Sequence, residues 1–172
     1  HSFPTRRSSD LVVVRDGLIA AVEPFDSARD VSADLGNTAL LPGAVDTHVH
    51  VNEPGRTEWE GFATATRSAA AGGITTLVDM PLNSIPATND AAALRAKVRA
   101  MSAQLAVDVG LWGGVVPGNT DALAALAEAG ALGFKCFLSP SGVDEFAHVG
   151  ERDLALAMPL LAPLADFAQV SR

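Results

Sequence analysis

Apolar positions fall into two rhythms along this chain. From Leu11 the run LVVVRDGLIAAV places two short β-rich stretches around Arg15-Asp16-Gly17. Asp-Gly between such stretches predicts a β-hairpin, because both turn residues must accept positive φ. From about residue 40 the rhythm changes. Strand-like runs at Ala44 to His48, Thr75 to Met80, Val107 to Trp112 and Gly133 to Leu138 alternate with alanine-rich helical segments, and their recurrence at roughly 30 residues is the length of a βα unit. Thr57 with Glu60 matches a capping box, and the helix it opens should stop at Gly72-Gly73. Asn89 and Thr120 stand where the next two helices need caps, and Gly130 where the third should end.

Apolar strands alternating with helices predict a parallel sheet covered by helices, an α/β fold of either the doubly wound or the (β/α)8 kind. A barrel usually takes about 250 residues. The 172 residues here favour the open sheet unless the chain is part of something longer. The leader HSFPTRRSSD shows no periodicity and is set aside as foreign to the fold. The expected organisation is a leader at 1–10, a small β element at 11–41 and the α/β part at 42–172.

Composition narrows the function classes. With 48% apolar and 19% charged residues the chain can bury a sizeable core. A formal charge of −8 leaves no basic stripe, which argues against nucleic acid and anionic membranes as partners and for a small polar or neutral ligand. Cys136 stands alone and cannot form an internal disulfide, and neither a secretory signal nor a bilayer-length apolar run is present. The expected location is the cytoplasm.

Two features carry chemistry. His48 and His50 share one face of a strand, at its C-terminal end and just before the irregular VNEPGR loop, where parallel α/β folds place their sites. Neutral imidazole is a common ligand of zinc and similar ions, and two supply half of a tetrahedral shell. Strand-end histidines bonded to loops are the alternative. Lys135, in ALGFKCFLSP, lies within an apolar strand, where an ammonium must pair, lose its proton, be modified, or reach water along its stem. Asp46 shares the side-chain parity of His48 and is a candidate acceptor for an imidazole N–H or an ordinary strand-end carboxylate. Asp79 likewise ends an apolar strand. Arg56, Glu58 and Glu60 are expected to serve the loop and the following helix N-terminus. Cys136 should face the helical layer as a small core residue, and His148 should face solvent.

The stretches PGAVDTHVHVNEPGRTEWEGF, AAAGGITTLVDMPLNSIPATND and GFKCFLSPSGVDEF together resemble the cyclic amidohydrolases of the amidohydrolase superfamily, and among them the allantoinases, from about Leu11 to about Leu161. The resemblance implies the N-terminal part of a (β/α)8 barrel, about four βα units, preceded by a β element of a small composite domain. It implies two divalent metal ions, zinc first with cobalt, iron or manganese as alternatives. A carbamylated Lys135 (N6-carboxylysine) and a hydroxide would bridge them, and His48 and His50 would hold the first. The reaction implied is hydrolysis of a cyclic amide, allantoin to allantoate, in a homotetramer acting on a small-molecule substrate.

Substrate identity rests on single positions. Dihydroorotases carry an arginine at the position of Asn52, where it grips a carboxylate; Asn52 instead suits a neutral ureide. Asn83 in MPLN is a candidate substrate contact or a turn residue before Pro86. Hydantoinases and dihydropyrimidinases share the histidines and the lysine but usually lack the EPGR loop. The family pattern also calls for two histidines and a proton-transferring aspartate from later strands. The chain is therefore expected to be an N-terminal portion, inactive by itself, with no catalytic residue beyond its metal ligands. A structural relative that has lost its ligands is the non-enzymatic alternative, and retention of His48, His50 and Lys135 argues against it.

Overall fold

The Asp-Gly turn forms as its residues dictate. Strands β1 (Asp10–Arg15) and β2 (Leu18–Pro24) pair antiparallel around Asp16 and Gly17, at φ 51° and 77°. A register shift between Val13 and Val14 marks a bulge. The computed structural model describes residues 10–24, 30–36 and 38–164, and divides the chain into two units, His1–Pro42 and Gly43–Arg172. Nearly all of the expected leader, and the tail DFAQVSR that follows the last helix, lie outside the described residues.

In the second unit strands and helices alternate: β3 (Ala44–Val49), α1 (Phe62–Ala71), β4 (Ile74–Asp79), α2 (Ala91–Met101), β5 (Asp108–Leu111), β6 (Gly113–Gly114), α3 (Leu123–Glu128), β7 (Phe134–Lys135) and α4 (Glu151–Leu161). β3, β4 and β5 form a parallel sheet in that order, and β6 pairs parallel with β7. Only Trp112 separates β5 from β6, and it continues the ladder by donating its N–H to the Asp79 carbonyl at 2.9 Å. Strands therefore lie side by side in sequence order without the reversal that marks a doubly wound sheet. Right-handed crossovers in one direction put the connecting helices on one face.

Packing follows from this layering. Leu94 of α2, Leu111 of β5 and Leu126 of α3 pack with Ala131, while Val115, Leu123, Val149 and Ala157 bury the face of α4. A separate cluster of Met80, Leu82, Ala87 and Phe146 lies under the loops that leave the C-terminal strand ends. Half-buried Cys136 packs beside Val115 and Leu123, on the helical side as expected. Among the described residues no helix is long and apolar enough to cross a membrane.

Several element ends differ from the sequence expectation. The Thr57–Glu60 capping box does not form: α1 begins at Phe62, and its first N–H is taken at 2.9 Å by the Glu53 carboxylate, from the loop before. A long-range carboxylate at a helix N-terminus satisfies both the orphan donor and the dipole. Gly72-Gly73 ends the helix as expected, with Gly73 at φ 81°. The cap of α2 is Asp90, accepting from Ala93 at 2.8 Å, one position after Asn89. Thr120 opens a 3-10 turn preceding α3 and makes no cap. The last strand stops at Lys135, short of Leu138, because its partner β6 has only two residues.

Candidate metal centre

The loop after β3 builds the first wall of the site. Residues 52–60 close on themselves through Asn52 N–H to Glu60 O, Arg56 N–H to Asn52 O and Trp59 N–H to Arg56 O. Gly55 sits at φ 95°, and a Cβ there would stand 2.6 Å from Ile85 Cβ and 2.9 Å from Ile85 O. The Ile85 N–H in turn bonds to Pro54 O at 2.8 Å, so the EPGR loop lies directly on the MPLN-SIP turn. Gly55→Ala should therefore destabilise by at least ~2 kcal/mol, combining left-handed strain with a backbone collision. Gly118→Ala, also at positive φ but with nothing within 4 Å, should cost less in the same urea titration.

Arg56, expected to serve the loop and the following helix N-terminus, serves the loop. Its guanidinium pairs with Glu145, 89 residues on, donates to Asn83 O at 3.0 Å, and lies 4.9 Å from the Trp59 ring centre. One side chain thus joins the loops following β3, β4 and β7. The Arg56 hydrogen bond holds the Glu145 carboxyl below its usual range, against a smaller opposing effect of burial. Sequence gave no sign of a pair so far apart.

Three of the expected ligands meet. The rings of His48 and His50 lie 5.4 Å apart, and Lys135 brings its Nζ to 3.5 Å from His48 Nε2, from 87 residues away. Lys135 is half-buried, its Nζ 4.7 Å from the Phe137 ring centre, and among the described residues no carboxylate pairs with it. Burial holds its pKa down. Burial first, then the charges of Lys135, His48 and Lys97, hold the His50 pKa below the usual imidazole value. Among the described residues no three His, Cys, Asp or Glu side chains gather around one point; the third member of this group is the lysine.

The asparagines divide. Asn83, in the left-handed region at φ 74°, places Nδ2 3.4 Å from His50 Nδ1. Turning its amide would offer the oxygen to Nδ1–H and leave the His50 Nε2 lone pair free for a cation. It is both a turn residue and a partner of the imidazole. Asn52 acts through its backbone; its side chain is 8% exposed and makes no hydrogen bond to either imidazole or to Lys135. Asp46 does not reach an imidazole. Its carboxylate accepts the His48 backbone N–H at 3.0 Å and so fixes the strand end instead. His148 is exposed.

Two buried residues complete the floor. Asp79 (0% exposed) and Lys97 of α2 (1%) form an ion pair between Oδ2 and Nζ. Asp79 Oδ1 accepts from Val51 N–H at 2.6 Å, while Lys97 Nζ donates to Val51 O at 3.4 Å and Ser84 Oγ at 3.2 Å. Burial pushes the Asp79 carboxyl up to about 6, opposed by Lys97 and by the N–H groups of Val51 and Met80. Lys97 escaped the sequence reading because AAALRAKVRAM looks like a solvated helix face. Its only signal was Asp79 needing a partner at the end of an apolar strand.

The donor set suits a divalent cation in part. Two imidazoles and an unpaired, half-buried amine converge, and an amine becomes a cation ligand only as the free base or as a carbamate.

Comparison with known proteins bears on the chain as a whole. A family model described as "Amidohydrolase family" matches residues 39–156. An allantoinase of Streptomyces avermitilis is 56% identical over 88% of this chain and 35% of its own length. One from Arabidopsis thaliana is 42% identical over 98% of this chain and 36% of its own. Among solved structures, L-hydantoinase (dihydropyrimidinase) from Arthrobacter aurescens superposes with a TM-score of 0.80 at 33% identity, covering 88% of this chain and 34% of that one. The chain spans about a third of the length of these relatives.

Proposed function

The chain belongs to the amidohydrolase family, and from that premise we propose that it carries part of the metal-binding mouth of a cyclic amidohydrolase that opens allantoin to allantoate. The observation that carries this reading is the convergence of Lys135 on His48, with no carboxylate to neutralise it among the described residues. His48 and His50 would hold one divalent ion, zinc first and cobalt, iron or manganese otherwise. Carbamylation of Lys135 would turn a confined cation into an anion with two oxygens, able to face two ions. When bound, such ions acidify water at neutral pH and polarise the ring carbonyl. Within the chain, Asn83 orients His50, and the Arg56–Glu145 pair holds the loops that wall the mouth. A cytoplasmic homotetramer remains part of the proposal.

Substrate choice follows from the missing cation at position 52. Dihydroorotate is anionic, and where a counter-charge would be needed this loop carries Asn52, which is buried and uncharged. On one preparation of the full-length protein, kcat/KM should rank allantoin first and dihydroorotate at least about tenfold lower. A preference for dihydroorotate would overturn this ranking. The structural likeness to an L-hydantoinase supports a second reading, a hydantoinase or dihydropyrimidinase, which a preference for hydantoin would promote.

A further inference from the structure

We propose that Lys97 is a positioning residue of the metal centre, one buried ammonium that sets where His50 and Asn83 stand relative to each other. The assignment rests on reading His48, His50 and Lys135 as metal ligands.

His50 lies just beyond β3, and its two neighbours are both tied to the end of β4. Val49 O accepts the Met80 N–H at 2.8 Å, and Val51 N–H donates to Asp79 Oδ1 at 2.6 Å. Lys97 then closes the arrangement from the helix side. It pairs with the other Asp79 oxygen, donates to Val51 O at 3.4 Å, and reaches Ser84 Oγ at 3.2 Å. Ser84 directs its own hydroxyl proton to Pro86 O at 3.2 Å, which leaves a lone pair for the ammonium. Ser84 follows Asn83, whose Nδ2 stands 3.4 Å from His50 Nδ1. A single donor therefore anchors both the residue after His50 and the residue after Asn83.

Stability alone does not require this. A well-packed apolar pair of similar volume generally holds a fold as well as a buried ion pair. What an apolar pair cannot do is fix acceptors on two separate loops from one point. The three donor directions of an ammonium match the three acceptors present, Asp79, Val51 O and Ser84 Oγ.

The test compares the full-length protein with two variants. Asp79→Asn/Lys97→Met removes both charges while retaining volume and the acceptor for Val51 N–H. Ser84→Ala cuts only the link to the Asn83 turn. Each is first checked by its melting temperature, and Ser84→Ala serves if the double variant does not fold. Three readouts follow: the Kd for Co2+, the visible spectrum of the Co2+ form, and hydrogen exchange of the Val51 and Ile85 amides in metal-free protein. The double variant should weaken Co2+ binding by roughly 10- to 100-fold, the range for loss of a ligand's supporting partner. It should also alter the Co2+ spectrum and speed Val51 exchange at least about tenfold, while β4 and α2 amides keep their protection. Ser84→Ala should shift the same readouts in the same direction by less. Parental Co2+ affinity and spectrum in the folded variants would overturn the assignment of Lys97 alone. No Co2+ binding by the unsubstituted protein would sink the metal reading, and this assignment with it.

Discussion

Lys135→Ala is expected to strip the full-length protein of its metal and of its amide hydrolysis together. Lys135 Nζ stands 3.5 Å from His48 Nε2 without a carboxylate partner among the described residues, so a carbamate there would supply two oxygens that alanine cannot. Loss of an outer partner of a ligand already costs about 10- to 100-fold in metal affinity or activity, and loss of a bridging ligand should exceed that range. Metal content by mass spectrometry and the allantoin rate should fall in parallel. Lys135→Arg should behave the same way, because guanidinium stays protonated and cannot form the carbamate. Acetate or propionate added to the alanine variant should restore part of both. A lysine that merely leads its head to water would change stability within about 0.5 kcal/mol and leave metal content alone. Full metal and near-normal turnover in both variants would refute the bridge.

Lys97→Met should produce the largest loss of stability in the chain, ~3–5 kcal/mol, because it leaves Asp79 charged and unpaired at 0% exposure. The loss should depend on pH with a definite sign. Burial already raises the Asp79 carboxyl from 3.8 to about 6, and Lys97 is the first influence opposing it; removing Lys97 raises it further. A carboxyl whose folded pKa exceeds its unfolded one takes up a proton on folding, so stability falls as pH rises between the two values. The deficit should therefore be greatest at pH 8, shrink as pH falls towards 6, and level off below that, where the folded carboxyl is protonated in parent and variant alike. Urea titrations of the parent and variant at both ends of that range measure it. Asp79→Asn/Lys97→Met should recover most of the loss, since no buried charge remains. A single variant as stable as the parent at pH 8 would show that the pair is not as desolvated as its burial implies.

What the sequence made legible was local or periodic. Asp16-Gly17 announced its hairpin, and four strands were placed to within a few residues by alternating rhythm. His48, His50 and Lys135 could be read as a group only through resemblance, because spacing along a chain does not say that residues 87 apart meet. The start of α1 failed for the same reason. Thr57 and Glu60 satisfy a local capping rule, yet Glu53 reaches the α1 N-terminus from farther away and is further held by Gln104. The sequence pattern likewise could not reveal that Arg56 and Glu145 would pair or that Lys97 would be buried, since each depends on loops brought together by the sheet. Tertiary contact decided those positions.

The strand order has a consequence for how the chain behaves at high concentration. Among the described residues β3 pairs only with β4, and β7 only with β6, so each has a border without a neighbouring strand, although on β3 the His48 N–H is taken by the Asp46 carboxylate and the Thr47 carbonyl by the Trp112 indole. Val45, on β3, and Leu138, just past β7, are 58% and 71% exposed. Such borders are templates for another copy's backbone, and self-association by strand addition is their characteristic outcome. The net charge of −8 opposes that at neutral pH through mutual repulsion. Near the isoelectric point of about 4.8 the repulsion vanishes, and colloidal stability goes with it.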